Sequence, residues 1–239
     1  MPYFYGIDST YLLLVLPCIL FSMIASASVN STFKKYSQQR SVRGLTGAEA
    51  AQRVLMSNGV SGVRIERVSG DLTDHYDPRT NVIRLSDSVY SSTSTAAIGV
   101  ACHEAGHAVQ YAHNYGPIKV RAAIIPLTNI GSRLAMPLIL IGLLLSAFAN
   151  FSATIVYLGI ACFALTLLFQ LVTLPVEFNA SRRAMATIES SGILTSEEQK
   201  GARSTLRAAA MTYVAATAVA LAQLLRLILL FGNRGRRRK

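Results

Sequence analysis

The chain has 239 residues, of which 51% are hydrophobic and 15% are charged, and its mean hydropathy is +0.39. Because a soluble domain usually carries about 25% charged residues, this composition excludes a disordered protein and argues against a fully soluble globule. The net charge is +11, but the basic residues cluster beside apolar segments, which is typical of membrane anchors and not of a nucleic-acid-binding face. We therefore expect a lipid bilayer as a partner, and no nucleic acid.

The first apolar segment, residues 11–29, predicts a transmembrane helix that is not removed as a signal peptide. A signal peptide carries positive charge ahead of its apolar stretch, whereas here the first basic residue is Lys34. Aromatic residues before the segment, such as Tyr3 and Tyr5, are typical of a membrane interface. We expect this helix, assigned to residues 1–33, to have its amino terminus outside the cell.

The polar region that follows, residues 34–133, predicts a compact unit of helices and strands. Thr46 followed three residues later by Glu49 is a capping-box pattern, which marks the first turn of a helix. Alternating apolar and polar residues indicate a strand, and a turn sequence at 77–79 between two β-type segments indicates a hairpin. In chain order we expect a helix from Thr46, a strand at 63–68, a hairpin at 72–85 and a helix that starts in 91–95 and runs to about His113.

Three further apolar segments, residues 134–149, 154–174 and 208–231, predict the rest of the membrane part. The first two form a helical hairpin, and residues 124–130 extend its short first arm towards the roughly 20 residues that a span needs. Polar residues such as Arg226 interrupt the last segment, so we hold three spans with one membrane-associated helix slightly above four spans. The predicted segments of the chain are 1–33, 34–133, 134–174, 175–207 and 208–239.

Basic residues set the predicted orientation through the positive-inside rule. With the amino terminus outside, nine of them fall on the cytoplasmic side, in 34–43 and 175–207. Five more, in the tail 234–239, fall outside if the last helix crosses. Because nine exceeds five, we expect the region 34–133 to be cytoplasmic.

The sequence His103-Glu104-Ala105-Gly106-His107 is an HExxH motif within the last predicted helix of that region. Residues i and i+4 lie on one face of a helix, so His103 and His107 can bind one zinc ion. Glu104 is rotated by roughly 100°, which lets it take a proton from a water at the metal and pass it to the leaving amine. Ala105 and Gly106 are small, so another backbone can approach. The structural alternative is a helix with two surface histidines.

A catalytic zinc usually has three protein ligands, so a third must come from elsewhere in the chain. Glu177 is the favoured candidate, because it follows a long apolar helix at Pro175 and the predicted topology puts it on the same side as His103. His113 faces another side of its helix, and His75 lies on the predicted hairpin. Both stay open as weaker alternatives.

Two residues are candidates for contact with the reacting groups. His75 lies in a segment, 73–76, that a peptide substrate could join as an additional strand, and a histidine or tyrosine there could stabilise the oxyanion. Tyr213, in the last apolar segment, is the second candidate. The structural alternatives are a polar cluster that closes the hairpin and a tyrosine packed in a helical core.

Together these features resemble the YugP-type family of bacterial membrane zinc metallopeptidases. The resemblance is carried by the HExxH motif, two transmembrane helices and then Glu177-Phe178-Asn179-Ala180-Ser181-Arg182-Arg183-Ala184, with further matches at 72–78 and 82–86. It covers nearly the whole chain. It implies a gluzincin-like site with His103, His107 and Glu177 as zinc ligands and Glu104 as the general base.

The architecture is also similar to the HtpX-like proteases and the prenyl-protein proteases. HtpX-like enzymes carry an aspartate four residues after the ligand glutamate, where this chain has Ser181. That aspartate supports a ligand histidine. In this chain we expect the support to come from Asn179 or Asp74.

The expected fold class is α+β, mostly α: an integral membrane protein with three or four transmembrane helices and a zincin-like catalytic unit, in which a small sheet accompanies the HExxH helix. The expected function is a zinc-dependent endopeptidase of the bacterial plasma membrane, whose polypeptide substrates are membrane or membrane-associated proteins. Two alternatives stay open. One is an intramembrane protease with zinc inside the bilayer, and the other is a non-enzymatic membrane scaffold with a metal site.

Overall fold

A computed structural model describes residues 8–147 and 151–232, most of them in helices. The chain divides into two compact units. The helical unit contains the chain up to Ile24, Val120–Thr173 and the chain from Tyr213, and the α/β unit contains Ala25–Lys119 and Leu174–Thr212. The early aromatic residues Tyr3 and Tyr5, the hairpin connection at Asn150 and the basic tail 234–239 lie outside the described residues.

Four helices in the described part of the chain are long and apolar enough to cross a membrane. They are Tyr11–Tyr36, which consists of a π-helical turn at Tyr11–Val15 and α1 (Leu16–Tyr36), then α5 (Gly116–Leu144), α6 (Ser152–Ser190) and α7 (Gln199–Gly232). The predicted membrane architecture with three or four spans is confirmed. Residues 124–130 do extend the apolar segment 134–149, because α5 begins as early as Gly116.

The charge that interrupts α7 has a partner within the helical unit. Arg226 is only 7% exposed, and its Nε lies 3.3 Å from Asp8 Oδ1. The guanidinium also lies over the Tyr11 ring, 5.3 Å from its centroid. A buried charge that is paired costs far less than an isolated one. Arg226 therefore does not argue against α7 as a span, and the crossing of α7 stays a prediction.

A three-stranded sheet forms one side of the α/β unit. It consists of β1 (Arg64–Val68), β2 (His75–Asp77) and β3 (Val82–Ser86), in the order β1-β3-β2. β3 lies in the centre, antiparallel to β2 and parallel to β1. The predicted strand and hairpin are therefore confirmed, although the paired part of the hairpin is shorter than 72–85. The parallel pairing of β1 with β3 was not predicted.

The predicted capping box begins α2 (Gly47–Ser57). The Glu49 backbone N–H donates to Thr46 Oγ1 at 3.2 Å, and the Thr46 N–H donates to Glu49 Oε2 at 2.8 Å. The reciprocal bonds of this capping box satisfy backbone donors that have no partner inside α2.

A short helix, α3 (Asp87–Tyr90), follows β3 and was not predicted.

The helix with the HExxH motif is α4 (Thr95–Ala112), and it forms the centre of the α/β unit. It begins after Ser94, whose hydroxyl accepts a hydrogen bond from the Ala97 N–H at 3.2 Å. One face of α4 joins α2, β3 and α6 in the hydrophobic core; its fully buried residues include Ala97, Ile98, Ala101, Ala105 and Val109. This face fixes the rotation of α4, and therefore the direction in which the two motif histidines point.

Candidate metal centre

The two histidines of the motif lie one turn apart on α4, as predicted. Their ring centroids are 4.7 Å apart and the rings are nearly perpendicular. Both side chains are mostly buried, with 14% exposure for His103 and 12% for His107. Each ring turns its Nε2 towards the same point on α6.

Glu177 reaches that point from α6, which continues through Pro175 without ending. Its Oε2 lies 3.3 Å from His103 Nε2 and 3.5 Å from His107 Nε2, and the residue is 2% exposed. The close approach of α4 and α6 depends on Gly106, because a methyl group on its Cα would lie 2.6 Å from the Ala180 carbonyl oxygen. The prediction that small residues in the motif admit another backbone is thus confirmed.

The three side chains fit a zinc ion by both chemistry and spacing. Their donor atoms all lie within 4.8 Å of one another. For ligands about 2.0–2.1 Å from zinc in a tetrahedral arrangement, neighbouring donor atoms are about 3.3–3.4 Å apart. The observed separations of 3.3 and 3.5 Å match this value. Two imidazoles and one carboxylate also form a known catalytic zinc set.

Each histidine has a polar partner at Nδ1, behind the ring. His103 Nδ1 lies 3.1 Å from Ser181 Oγ, and His107 Nδ1 lies 3.0 Å from Gln110 Oε1. An Nδ1–H that donates to such a partner leaves Nε2 unprotonated and able to bind a metal. Because the amide oxygen of Gln110 can only accept, it holds the proton of His107 on Nδ1, and the Ser181 hydroxyl can accept from the same nitrogen of His103.

The residues expected to support the histidines from behind are only partly the right ones. Ser181 contacts His103 directly, so this position supports a ligand even without an aspartate. Asn179 Oδ1 accepts a hydrogen bond from Gln110 Nε2 and so lies one step behind His107. Asp74 was the wrong candidate, because its carboxylate accepts hydrogen bonds from the backbone N–H and hydroxyl of Ser86, in the sheet.

The electrostatics of the site favour a cation. Burial opposes a positive charge on His107, but its hydrogen bond to Glu177 and the negative charges of Glu104 and Glu177 outweigh burial and raise the pKa of His107. Glu104 is 9% exposed and close enough to act on His107 electrostatically. The site thus combines two carboxylates with two imidazoles in a mostly buried setting, where a divalent cation would be strongly attracted.

The weaker candidates for metal ligands and for contact with the reacting groups are not members of the cluster of His103, His107 and Glu177. His75 is exposed on the edge strand β2, with its Nδ1 2.8 Å from the Thr73 carbonyl oxygen, and it is not among the three clustered ligand residues. His113 ends α4 and contacts the Asn58 carbonyl oxygen through Nε2 at 3.2 Å. Tyr213 lies on α7 within the helical unit. Contact of His75 or Tyr213 with reacting groups stays a prediction.

Sequence reasoning missed Gln110, which is fully buried and contacts His107. Its position three residues after His107 places it on the same face of α4, so a polar residue there could have been noticed. Arg183 is one of the basic residues in 175–207 that set the predicted orientation, and in the structure it is half-buried and its Nε donates to Asn179 Oδ1 at 2.8 Å. The pattern of charges alone does not reveal such a contact.

Comparison with known proteins identifies a family for almost the entire chain. Residues 11–232 match the family described as "Putative neutral zinc metallopeptidase". The chain is also 45% identical over 223 residues to "Putative membrane protease YugP" of Bacillus subtilis (strain 168). That alignment covers 93% of this chain and 97% of the relative. No solved structure matches the chain.

Proposed function

The chain belongs to the neutral zinc metallopeptidase family, and from this premise we propose that it is a zinc-dependent endopeptidase of the cell membrane. The observation that carries the proposal is the convergence of His103, His107 and Glu177 on one point, at separations that suit tetrahedral zinc. Glu104 lies beside this point on the same helix. The proposed reaction is hydrolysis of a peptide bond.

In the proposed mechanism, His103 and His107 would hold a zinc ion through Nε2, and Glu177 would hold it through a carboxylate oxygen. A bound zinc ion would supply Lewis-acid chemistry, of the kind that lowers the pKa of a water to about 7 and polarises a carbonyl group. Gln110 holds His107 in the ligating tautomer, and the Ser181 hydroxyl orients the His103 ring by its contact with Nδ1. Because these partners are in place on α4 and α6, the ligand geometry does not depend on the substrate.

Glu104 is the proposed general base and acid. Its carboxylate takes a proton from the attacking water, whose oxygen bonds to the carbonyl carbon of the substrate. The carboxyl group then gives that proton to the amide nitrogen as the C–N bond breaks. His75 and Tyr213 are candidates for stabilising the oxyanion that forms between these steps.

We propose membrane or membrane-associated polypeptides as substrates. The support is that α6 carries both Glu177 and an apolar segment long enough to span a bilayer, so the ligand follows the membrane segment in one helix. The edge strand β2 could pair with an extended substrate segment. The excess of basic residues in 34–43 and 175–207 supports the cytoplasmic face of the plasma membrane as the location of the site.

The central test compares the purified wild type with Glu104→Gln and Glu177→Ala. We expect about one zinc per chain in wild type and in Glu104→Gln, and much less in Glu177→Ala, by mass spectrometry of metal content. Cleavage of an unfolded protein substrate in detergent should be lost in both variants. Glu177→Ala loses the metal, whereas Glu104→Gln keeps the metal and loses the general base. Unchanged cleavage by Glu104→Gln would refute the peptidase mechanism.

The two alternatives make different predictions for the same protein. An intramembrane protease needs its zinc helix within the bilayer, but α4 is not among the four span-capable helices of the described chain, and its apolar face is buried in the α/β unit. Cysteine labelling near Val100 would test this directly. A scaffold with a metal site would bind zinc equally well but hydrolyse nothing, in wild type as in Glu104→Gln.

A further inference from the structure

Gln110 is oriented by groups behind it and not by His107 alone. Its Nε2 donates to the Val176 carbonyl oxygen at 2.8 Å and to Asn179 Oδ1 at 3.0 Å. A backbone carbonyl can only accept, so the amide cannot rotate by 180° without losing this bond. Gln110 Oε1 is thereby directed at Nδ1 of His107. The tautomer of His107 thus depends on the orientation of this buried amide.

The orientation of Asn179 is fixed in turn by an arginine. Arg183 Nε donates to Asn179 Oδ1 at 2.8 Å, and an arginine has no acceptor. The oxygen of the Asn179 side chain must therefore face Arg183, and the same oxygen receives the hydrogen bond from Gln110. Arg183 therefore fixes the orientation of the Asn179 amide, Asn179 helps to fix that of the Gln110 amide, and Gln110 fixes the orientation of the His107 ring.

Arg183 is itself held in place on two further sides. Its guanidinium lies over the Tyr115 ring, 5.9 Å from the centroid, and its Nη1 lies 3.4 Å from His113 Nδ1. The Nε2–H of His113 can donate to the Asn58 carbonyl oxygen, which leaves Nδ1 as an acceptor for the arginine. The neighbouring Arg182 is exposed, as expected for a solvated basic side chain.

We propose that Arg183 is a positioning residue of the metal centre, which holds His107 in its ligating orientation through Asn179 and Gln110. This inference rests on the proposed zinc site. The proposal predicts different effects for two adjacent arginines of the same charge, because hydrogen bonds link Arg183, and not the exposed Arg182, to the ligand His107. A basic residue that served only as a membrane anchor would have no such connection.

Zinc affinity is the decisive readout, measured on full-length protein in detergent by competition with a chromophoric chelator. Partners behind a ligand histidine typically change metal affinity by about 10–100-fold. We expect Arg183→Gln to raise the zinc Kd by about tenfold, and Arg182→Gln, which removes the same charge, to change it by less than about twofold. Asn179→Leu, a second variant that breaks the same connection, should match Arg183→Gln.

A double variant tests whether the effect passes through Gln110. In a Gln110→Leu background, Arg183→Gln should cause no further loss of zinc affinity, since the connection is already broken. A full additional loss in that background, or equal affinities for Arg183→Gln and Arg182→Gln, would overturn the inference while wild type still binds zinc. Absence of zinc binding by wild type would overturn the proposed function as well.

Discussion

The contact between Gly106 and the Ala180 carbonyl oxygen makes a quantitative prediction for the metal centre. In Gly106→Ala, the new methyl carbon would lie 2.6 Å from that oxygen, whereas distances under 3.0 Å essentially do not occur for real Cβ atoms. The clash is with backbone, so no side-chain rotation relieves it. α4 and α6 must therefore separate locally by about 0.5 Å or more to bring this distance above 3.0 Å.

Two opposing effects of the methyl group can be compared. Alanine favours a helix over glycine by about 1 kcal/mol, while overpacking a tight contact costs about 1–3 kcal/mol. The larger effect on function is geometric, because metal–ligand distances are tolerated only within about 0.2 Å. A shift of about 0.5 Å between His107 and Glu177 exceeds this tolerance, so we expect zinc affinity to fall by about tenfold or more.

A matched control is available at Gly116, the first residue of α5. A methyl group there would have no atom within 4 Å, so Gly116→Ala makes the same chemical change without the clash. Zinc affinity by chelator competition and thermal unfolding of the zinc-free protein would be measured for both variants. If Gly106→Ala binds zinc as tightly as Gly116→Ala, the distance between the two helices does not determine the site.

Three other predictions concern stability, each read from thermal unfolding in detergent. Asp8→Leu should destabilise by about 1–2 kcal/mol, because it removes the carboxylate 3.3 Å from the buried guanidinium of Arg226. Adding Arg226→Leu should restore most of the loss, and no recovery in the double variant would contradict the importance of this ion pair. Glu198→Gln should lower the free energy of unfolding by about 1–2 kcal/mol, because the carboxylate accepts from the Val42 N–H at 2.6 Å and from the Thr195 N–H at 2.8 Å. A loss below about 0.5 kcal/mol would contradict this role of the carboxylate. Hydrogen bonds from Thr80, the Arg79 N–H and Arg84 lower the pKa of Asp77 from 3.8 to about 2. Its contribution is therefore present above about pH 4 and lost as the pH falls towards 2, so the difference between wild type and Asp77→Asn should vanish over that range.

Patterns of local sequence predicted the parts of the fold that local chemistry determines. The capping box at Thr46, the alternation in 63–68 and the i, i+4 spacing of the motif each concern residues close in sequence, and each is found in the structure. The long apolar segments were equally clear, because a span needs about 20 such residues wherever it lies. These predictions required no knowledge of tertiary contacts.

The contacts between α4 and α6 could not be predicted in the same way. Ser181 was not assigned to His103, because the contact depends on the rotation and separation of two helices, and the two residues are 78 positions apart in sequence. Gln110 differs, since it lies on the same helix as His107 and its i+3 spacing could have indicated the contact. Arg183 shows the limit most clearly. Its neighbour Arg182 has the same charge and the same local context. Their different positions around α6 leave Arg182 exposed and give Arg183 a half-buried hydrogen bond to Asn179.

The contacts that bring α4 and α6 together involve only protein groups, and this predicts how the site behaves without its metal. Along α4 they occur at His103, Gly106 and Gln110, which are the first ligand histidine, a residue between the two ligands and a residue after them. Zinc is therefore expected to bind a site that is already assembled, unlike a zinc finger, which folds only with metal. Chelation should lower the unfolding temperature only as far as mass action requires, and helix content by circular dichroism should be unchanged. A loss of helix on chelation would show that zinc assembles the site, and that these contacts alone do not.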